Sequence, residues 1–257
     1  MTRVLVVGAA GRMGESLLRQ IAASVELELA GALEHSLHPR QGQEVAPGVK
    51  LSSDVAAACA AADVAVDFSS PASTLALVDA AQARGLPLVI GTTGLGADAE
   101  SRIARAAERI AIVRAANFSI GIAVLLDLVA EASRRLEGYE IEVLELHHNQ
   151  KVDAPSGTAL SLARAAAAAR GQDLAKEAVY HREGTPGKRR HGEIGMQSLR
   201  LADSVGEHVV FFAGAGERVE LAHRAFSRDN FATGALRAAR WLPGRKPGLY
   251  TMRDVLT

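Results

Sequence analysis

Arg3-Val4-Leu5-Val6-Val7-Gly8-Ala9-Ala10-Gly11-Arg12-Met13-Gly14 is the stretch that decides the fold. Its unbroken aliphatic run reads as a strand covered on both faces, and a helical pattern from Arg12 to Ala23 follows the glycines at once. A strand that ends on glycines and turns directly into a helix opens a βαβ unit. There the glycines allow a tight turn and let the backbone come close to a pyrophosphate. The spacing is G-x-x-G-x-x-G rather than G-x-G-x-x-G, and a glycine triplet alone also fits an ordinary strand-to-helix turn.

Outward from that loop the same alternation repeats. Further strands are predicted at Leu27 to Leu33, Val64 to Phe68, Leu88 to Ile90 and Ile110 to Val113, with helices at Asp54 to Ala61, Ser73 to Arg84 and Ala97 to Glu108. The expectation is an α/β chain whose first part is a Rossmann-type doubly wound parallel sheet. Glu34 lies twenty residues past Gly14, at the end of the second strand. A carboxylate there accepts hydrogen bonds from adenosine ribose hydroxyls, which favours NADH; a 2′-phosphate would need a cation, for which Arg12 and His35 are at hand. Two other strand ends, Gly91-Thr92-Thr93-Gly94 and Ala115-Ala116-Asn117-Phe118, point to the same crevice, although each also fits simple turn chemistry. The choice between NADH and NADPH stays open.

After Asn117-Phe118-Ser119 the pattern changes to a long apolar helix, Ile120 to Leu136, then a strand, Ile141 to His147, in which Glu and aliphatic residues alternate. A polar loop, Glu183 to Gly192, leads to strands near Ile194 to Leu199, Val209 to Ala213 and Arg218 to Ala222, the last two joined by Gly214-Ala215-Gly216. This second part is expected to be an α+β domain with a mixed or antiparallel sheet, read as antiparallel from the hairpin. Residues 1–118 and 229–257 are assigned to the dinucleotide-binding domain, where the helical tail Asn230 to Trp241 packs back, and 119–228 to a substrate-binding and oligomerisation domain.

Composition narrows the function. With Lys plus Arg and Asp plus Glu both at 29 in 257 residues, the chain has no net field to attract nucleic acid or an anionic membrane. The one cysteine, Cys59, permits no intrachain disulfide and reads as helix packing. With no signal core or membrane-length apolar run, a cytoplasmic protein is expected.

The densest polar constellation is Glu145-Leu146-His147-His148-Asn149-Gln150-Lys151-Val152-Asp153-Ala154-Pro155-Ser156-Gly157-Thr158, between a strand and a helix. His148 and Lys151 supply cations for an anionic substrate, while Gly157 and Thr158 open the helix whose N–H groups favour negative charge. A histidine beside a lysine also suits proton donation after hydride arrival. The same residues fit a polar strand cap, with Ser156 or Thr158 merely capping the helix, and the histidine pair lacks a third ligand for a metal.

These segments together resemble the 4-hydroxy-tetrahydrodipicolinate reductase, or dihydrodipicolinate reductase, family. The marks run from Gly8–Gly14 through Asp67-Phe68-Ser69, Gly91–Gly94, Ala115–Ser119 and Glu145–Ala159 to Val205-Gly206-Glu207-His208, His223-Arg224-Ala225 and Phe231-Ala232. The resemblance implies NAD(P)H-dependent reduction of a small cyclic dicarboxylate in lysine and diaminopimelate biosynthesis. It implies His147 and Lys151 as the proton-handling pair and His148, Gly157 and Thr158 as carboxylate-holding residues. For the cofactor it implies Gly8, Ala9, Ala10, Gly11, Arg12, Met13, Glu34 with His35 beside it, Gly91, Thr92, Thr93, Ala115, Ala116, Asn117 and Phe118, and it implies a homotetramer. Ala116 replaces a usual proline, His35 a usual firmer cation, and Leu201-Ala202 two usual glycines, which predicts a stiffer loop there. The alternatives are another two-domain dehydrogenase of an amino-acid precursor, which lacks support because Cys59 is the only thiol, or a non-catalytic dinucleotide sensor.

Overall fold

The computed structural model describes residues 1–257, which divide into two compact units, Met1–Ile120 with Arg228–Thr257 and Gly121–Ser227. In the first unit β1 (Thr2–Val7) leads into α1 (Arg12–Ala22), followed by β2 (Leu27–Leu33), β3 (Glu44–Ala46), β4 (Val49–Ser52) and α2 (Val55–Ala61). Then come β5 (Val64–Asp67), α3 (Pro71–Arg84), β6 (Leu88–Ile90), α4 (Ala97–Ala107) and β7 (Ala111–Arg114). Val4, Leu5, Val6, Val64, Val66, Leu88 and Ile90 are wholly buried, as uninterrupted aliphatic strands must be when helices cover both faces. Helix starts follow their caps. The Asp54 side chain accepts from Ala57 N–H, and Ser70 accepts from Ser73 N–H with Pro71 in the first turn, so α3 begins two residues before the expected Ser73.

The second unit contains α5 (Ile120–Arg135), β8 (Glu140–His147), α6 (Gly157–Ala169), α7 (Leu174–Glu177), β9 (Ala178–Val179), β10 (Ile194–Arg200), β11 (Gly206–Gly214) and β12 (Glu217–Ala225). Its sheet runs β12-β11-β8-β10-β9. The sheet is mixed, which corrects the antiparallel reading. β11 is antiparallel to β8 and β12, but β10 is parallel to β8 and β9. The connection from β8 to β10 passes through α6, and a crossover of that length returns the chain in the same direction. Ile141, Val143, Met196, Val210 and Phe212 pack with Leu125, Val129, Leu162 and Ala166 in one core. The alanine-rich end of α6 contributes Ala163, Ala166 and Ala167 to it.

The tail returns to the first unit as α8 (Asp229–Trp241), β13 (Gly248–Tyr250) and α9 (Met252–Leu256). β13 pairs parallel with β7, giving the order β13-β7-β6-β5-β1-β2-β4-β3. Gln20 Nε2 donates to Asp229 O at 3.0 Å, Arg19 pairs with the Asp229 carboxylate at 2.6 Å, and Ser16 Oγ donates to it, so α8 is fixed against α1. No helix is long and apolar enough to cross a membrane.

Candidate active site

In the first unit the three loops assigned to the cofactor follow the C-terminal ends of β1, β6 and β7, which with β5 between them are neighbours in the parallel sheet. The chain folds so closely there that side chains are excluded. A Cβ on Gly14 would stand 2.3 Å from Gly8 O, and one on Gly8, whose φ is +76°, would stand 2.5 Å from Phe68 O. Gly11 begins α1 at φ −80° with no side-chain cap, so the first-turn N–H groups face outward without a competing oxygen, as an anion-binding helix end requires. Arg12 is exposed and Met13 half-buried beside them.

The Glu34 carboxylate joins this loop. Its Oε2 accepts from Ala10 N–H at 3.3 Å and its Oε1 from His35 N–H at 3.0 Å, while Ala9 N–H donates to Leu33 O at 3.0 Å. An anionic oxygen is thus fixed at the end of β2, next to the glycine turn. His35 is exposed and meets His38 edge to face, with ring centroids 5.4 Å apart.

Gly91, Thr92 and the loop after β5 are held together by Asp67, a residue to which the sequence alone assigns no role. Asp67 is fully buried and accepts from Ser69 Oγ at 2.5 Å, Thr74 Oγ1 at 2.5 Å and Thr92 Oγ1 at 3.1 Å. Burial pushes its carboxyl up, against the opposing effect of these hydroxyl donors. Thr92 also accepts from Ser69 N–H at 3.0 Å, so its hydroxyl ties one loop to the next, whereas Thr93 is exposed. Phe118 is buried edge to face with Phe68, whose ring leaves no room for a Cβ on Gly91. Its side chain is therefore packing, and only the backbone of that segment is available to a ligand. Ala115 is half-buried and Ala116 exposed, and Asn117 Oδ1 accepts from Ser119 N–H at 2.8 Å just before α5.

In the second unit the site is built at the C-terminal end of β8. Period-two alternation runs unbroken from Glu140 to Glu145 with Glu140 and Glu142 on the outer face, but the order of residue types shifts at Leu144, which takes the outer position where a third Glu would continue the series. Glu145 consequently falls on the inward face with Ile141, Val143 and His147 and is fully buried. It accepts from His147 Nδ1, from Arg200 Nη1 at 3.0 and 3.1 Å, and from Ser156 N–H at 3.3 Å. Burial would raise its carboxyl; hydrogen bonds from His147, Ser198 and Arg200 prevail and hold it down to about 2. Glu145 is an anion at every working pH.

Arg200 also donates to Asp153 O at 2.6 Å, and Asp153 in turn accepts from Lys151 Nζ at 2.8 and 3.0 Å. One guanidinium thereby links the carboxylate that holds His147 to the backbone of the residue that pairs with Lys151. The turn between them is closed by Lys151 N–H to His148 O at 3.1 Å and Asn149 N–H to Ala202 O at 3.1 Å. Ala202 adopts φ +41°, the conformation in which glycine is the usual residue, at a cost of about 1–2 kcal/mol.

Ser156 caps α6, its Oγ accepting from Ala159 N–H at 3.1 Å, and it meets His208 Nε2 at 3.1 Å. Gly157 and Thr158 are the first two residues of α6, ahead of its first backbone bond from Leu160 N–H to Ser156 O. A Cβ on Gly157 would meet nothing within 4 Å, so the helix end is open on that side. His208 is buried and pushed down to about 3 by burial and then by the neighbouring His147, and so is neutral. His148 is half-buried beside this group. The sequence alone assigns no role to Glu145, Arg200 or His208, although Glu145 opens the polar constellation and His208 is among the marks of the resemblance. Only Glu145 had a local signal, the charge that falls out of phase with Glu140 and Glu142.

Known proteins match this arrangement over its whole length. The family description "Dihydrodipicolinate reductase, N-terminus" covers residues 2–118, and "Dihydrodipicolinate reductase, C-terminus" covers 121–256. A 4-hydroxy-tetrahydrodipicolinate reductase from Anaeromyxobacter dehalogenans (strain 2CP-1 / ATCC BAA-258) is 46% identical, over 100% of this chain and 98% of the relative. One from Thiobacillus denitrificans (strain ATCC 25259 / T1) is 48% identical, over 99% and 98%. Among solved structures, a dipicolinate-bound dihydrodipicolinate reductase from Paenisporosarcina sp. TG-14 has the same fold, with a TM-score of 0.79 at 24% identity and 99% of both chains covered.

Proposed function

Because this chain belongs to the dihydrodipicolinate reductase family, we propose that His147 and Lys151 are the proton-handling groups of its reaction, with His148, Gly157 and Thr158 holding substrate carboxylates. The activity is reduction of 4-hydroxy-tetrahydrodipicolinate to tetrahydrodipicolinate with a nicotinamide cofactor, in lysine biosynthesis. The full-length identity to reductases sets aside the readings as another dehydrogenase of an amino-acid precursor and as a non-catalytic sensor.

The observation that carries the residue assignment is the single segment from His147 to Thr158. It contains an imidazole backed by a carboxylate, an ammonium backed by Asp153 and a capped helix N-terminus. The first turn of α6 attracts a dicarboxylate by its amides and dipole. A nicotinamide, when bound, would supply the hydride, and the 4-hydroxyl leaves the substrate as water; His147 would deliver a proton to the skeleton, and Lys151 would neutralise charge or donate in its turn. Glycines 8, 11 and 14 with Ala9 and Ala10 form the pyrophosphate turn, Arg12 and Met13 flank it, and the backbones of Gly91–Thr93 and Ala115–Phe118 line the nicotinamide side. The crowding around Gly14 and the uncapped start of α1 fit such a ligand.

We propose NADH as the preferred cofactor, since the Glu34 carboxylate repels a 2′-phosphate and the exposed His35 stands beside it where the resembled family has a firmer cation. Substrate-dependent oxidation of the two cofactors, followed by absorbance, should give a kcat/KM for NADH roughly tenfold above that for NADPH, with the ratio falling in Glu34→Gln. Equal or better use of NADPH would contradict it.

We further propose a cytoplasmic homotetramer, assembled on the face of the second sheet opposite α5 and α6. That face carries Leu144, Val209 and Phe211 where the helix-facing positions carry Val143, Val210 and Phe212. Light scattering should report four chains for the native protein and a smaller species for Phe211→Asp; a native monomer would dismiss the tetramer.

A further inference from the structure

The reading of His147 as proton donor leaves unexplained why a carboxylate with no solvent exposure lies beside it. A buried charge is costly unless it is paired and hydrogen-bonded, and Glu145 has its pairing built from three elements. β8 supplies His147, β10 supplies Arg200 and Ser198, and the start of α6 supplies Ser156 N–H. The carboxylate takes Nδ1 of the imidazole, which directs Nε2 to the opposite edge of the ring. On that edge lies Gly206, where a Cβ would stand 3.0 Å from Nε2, so glycine leaves the nitrogen unobstructed.

Resting on the assignment of His147 above, we propose that Glu145 is a positioning residue: it fixes the ring with Nδ1–H donated inward and Nε2 turned outward, and its negative charge favours the imidazolium that donates the proton. The other charged or titratable groups around His147 act in known directions. Arg200 on β10 opposes the imidazolium and holds Glu145 in place. His208 on β11, ring centroid 5.2 Å away, is neutral, and His223 on β12 lies next to it across the strand pair. Lys151, with its charge paired to Asp153, completes the set.

The signs separate positioning from mere support. Glu145→Gln keeps an oxygen for Nδ1–H but removes the charge, so kcat should fall roughly tenfold and the alkaline limb of the kcat–pH profile should move down by about one pH unit. The KM for NADH should hold. Arg200→Met removes a cation from the same carboxylate, so its alkaline limb should stay or move up even as turnover falls. An unmoved limb in Glu145→Gln, or an equal downward shift in Arg200→Met, would overturn the proposal, the latter by reducing Glu145 to a tether for Arg200. Full turnover in His147→Gln is a separate result, and it would remove the underlying assignment instead.

Discussion

His147→Gln and Lys151→Ala should each lower kcat by roughly 10²- to 10⁴-fold while leaving NADH affinity nearly unchanged. The expectation follows from what each side chain touches. Neither is bonded to the glycine loop or to Glu34; His147 rests on Glu145 and Lys151 on Asp153, both within the second unit. Loss of either group therefore removes proton delivery or charge neutralisation in the transition state without altering the cofactor's binding surface. Steady-state kinetics with a parallel NADH fluorescence titration makes the distinction. A variant with native turnover would refute the role assigned to that residue, and one with lost cofactor binding would show that the two surfaces are not independent.

Gly14→Ala should be nearly as damaging by a different route. The added methyl would lie 2.3 Å from Gly8 O, 2.5 Å from Ala9 O and 2.6 Å from Ala9 C, all backbone atoms of the turn itself. Backbone cannot swing aside as a side chain does, so the loop must open by several tenths of an ångström or more. The pyrophosphate amides move with it, and affinity for NADH should weaken by roughly a hundredfold. A stability loss of roughly 1–3 kcal/mol is expected from the same overlap. Gly96→Ala is the matched control: at φ −77° with nothing within 4 Å of its Cβ, it should leave affinity and melting temperature alone. Native NADH affinity in Gly14→Ala would mean that the turn is not the cofactor cradle.

Much of this architecture was readable because it is written in local periodicity. The aliphatic runs of β1, β5, β6 and β7 and the glycine loop specify a doubly wound sheet, and the bounds of these four strands lie within two residues of those expected. The short pieces were not readable. β3 and β4 turn on Pro47-Gly48 with three and four residues each, and β13 has three, too few for an alternating pattern to register. The direction of β10 was misread because the hairpin of β11 and β12 is a local signal, whereas parallel pairing of β8 with β10 depends on the intervening crossover.

The site divides the same way. His147, Lys151, Gly157 and Thr158 lie within twelve residues of one another and were visible as one constellation. Arg200 and His208 approach it from more than fifty residues away, through strand pairing that no spacing rule encodes. Phe118 comes with the cofactor residues through the family resemblance; its ring packs edge to face with Phe68, which leaves its backbone for that role. The charge of Glu145 on the inward face was legible as a break in the order of residue types, although a one-residue shift in an eight-residue strand is easily taken for noise.

The central claim is that the segment from His147 to Thr158 receives the dicarboxylate and presents it for reduction. A crystal structure of the protein with NADH and dipicolinate tests it most directly. The account predicts a carboxylate on the amides of Gly157 and Thr158, with Nε2 of His147 and Nζ of Lys151 on the same side of the ring as the acceptor atoms they serve. A dicarboxylate bound elsewhere, with α6 untouched, would contradict it.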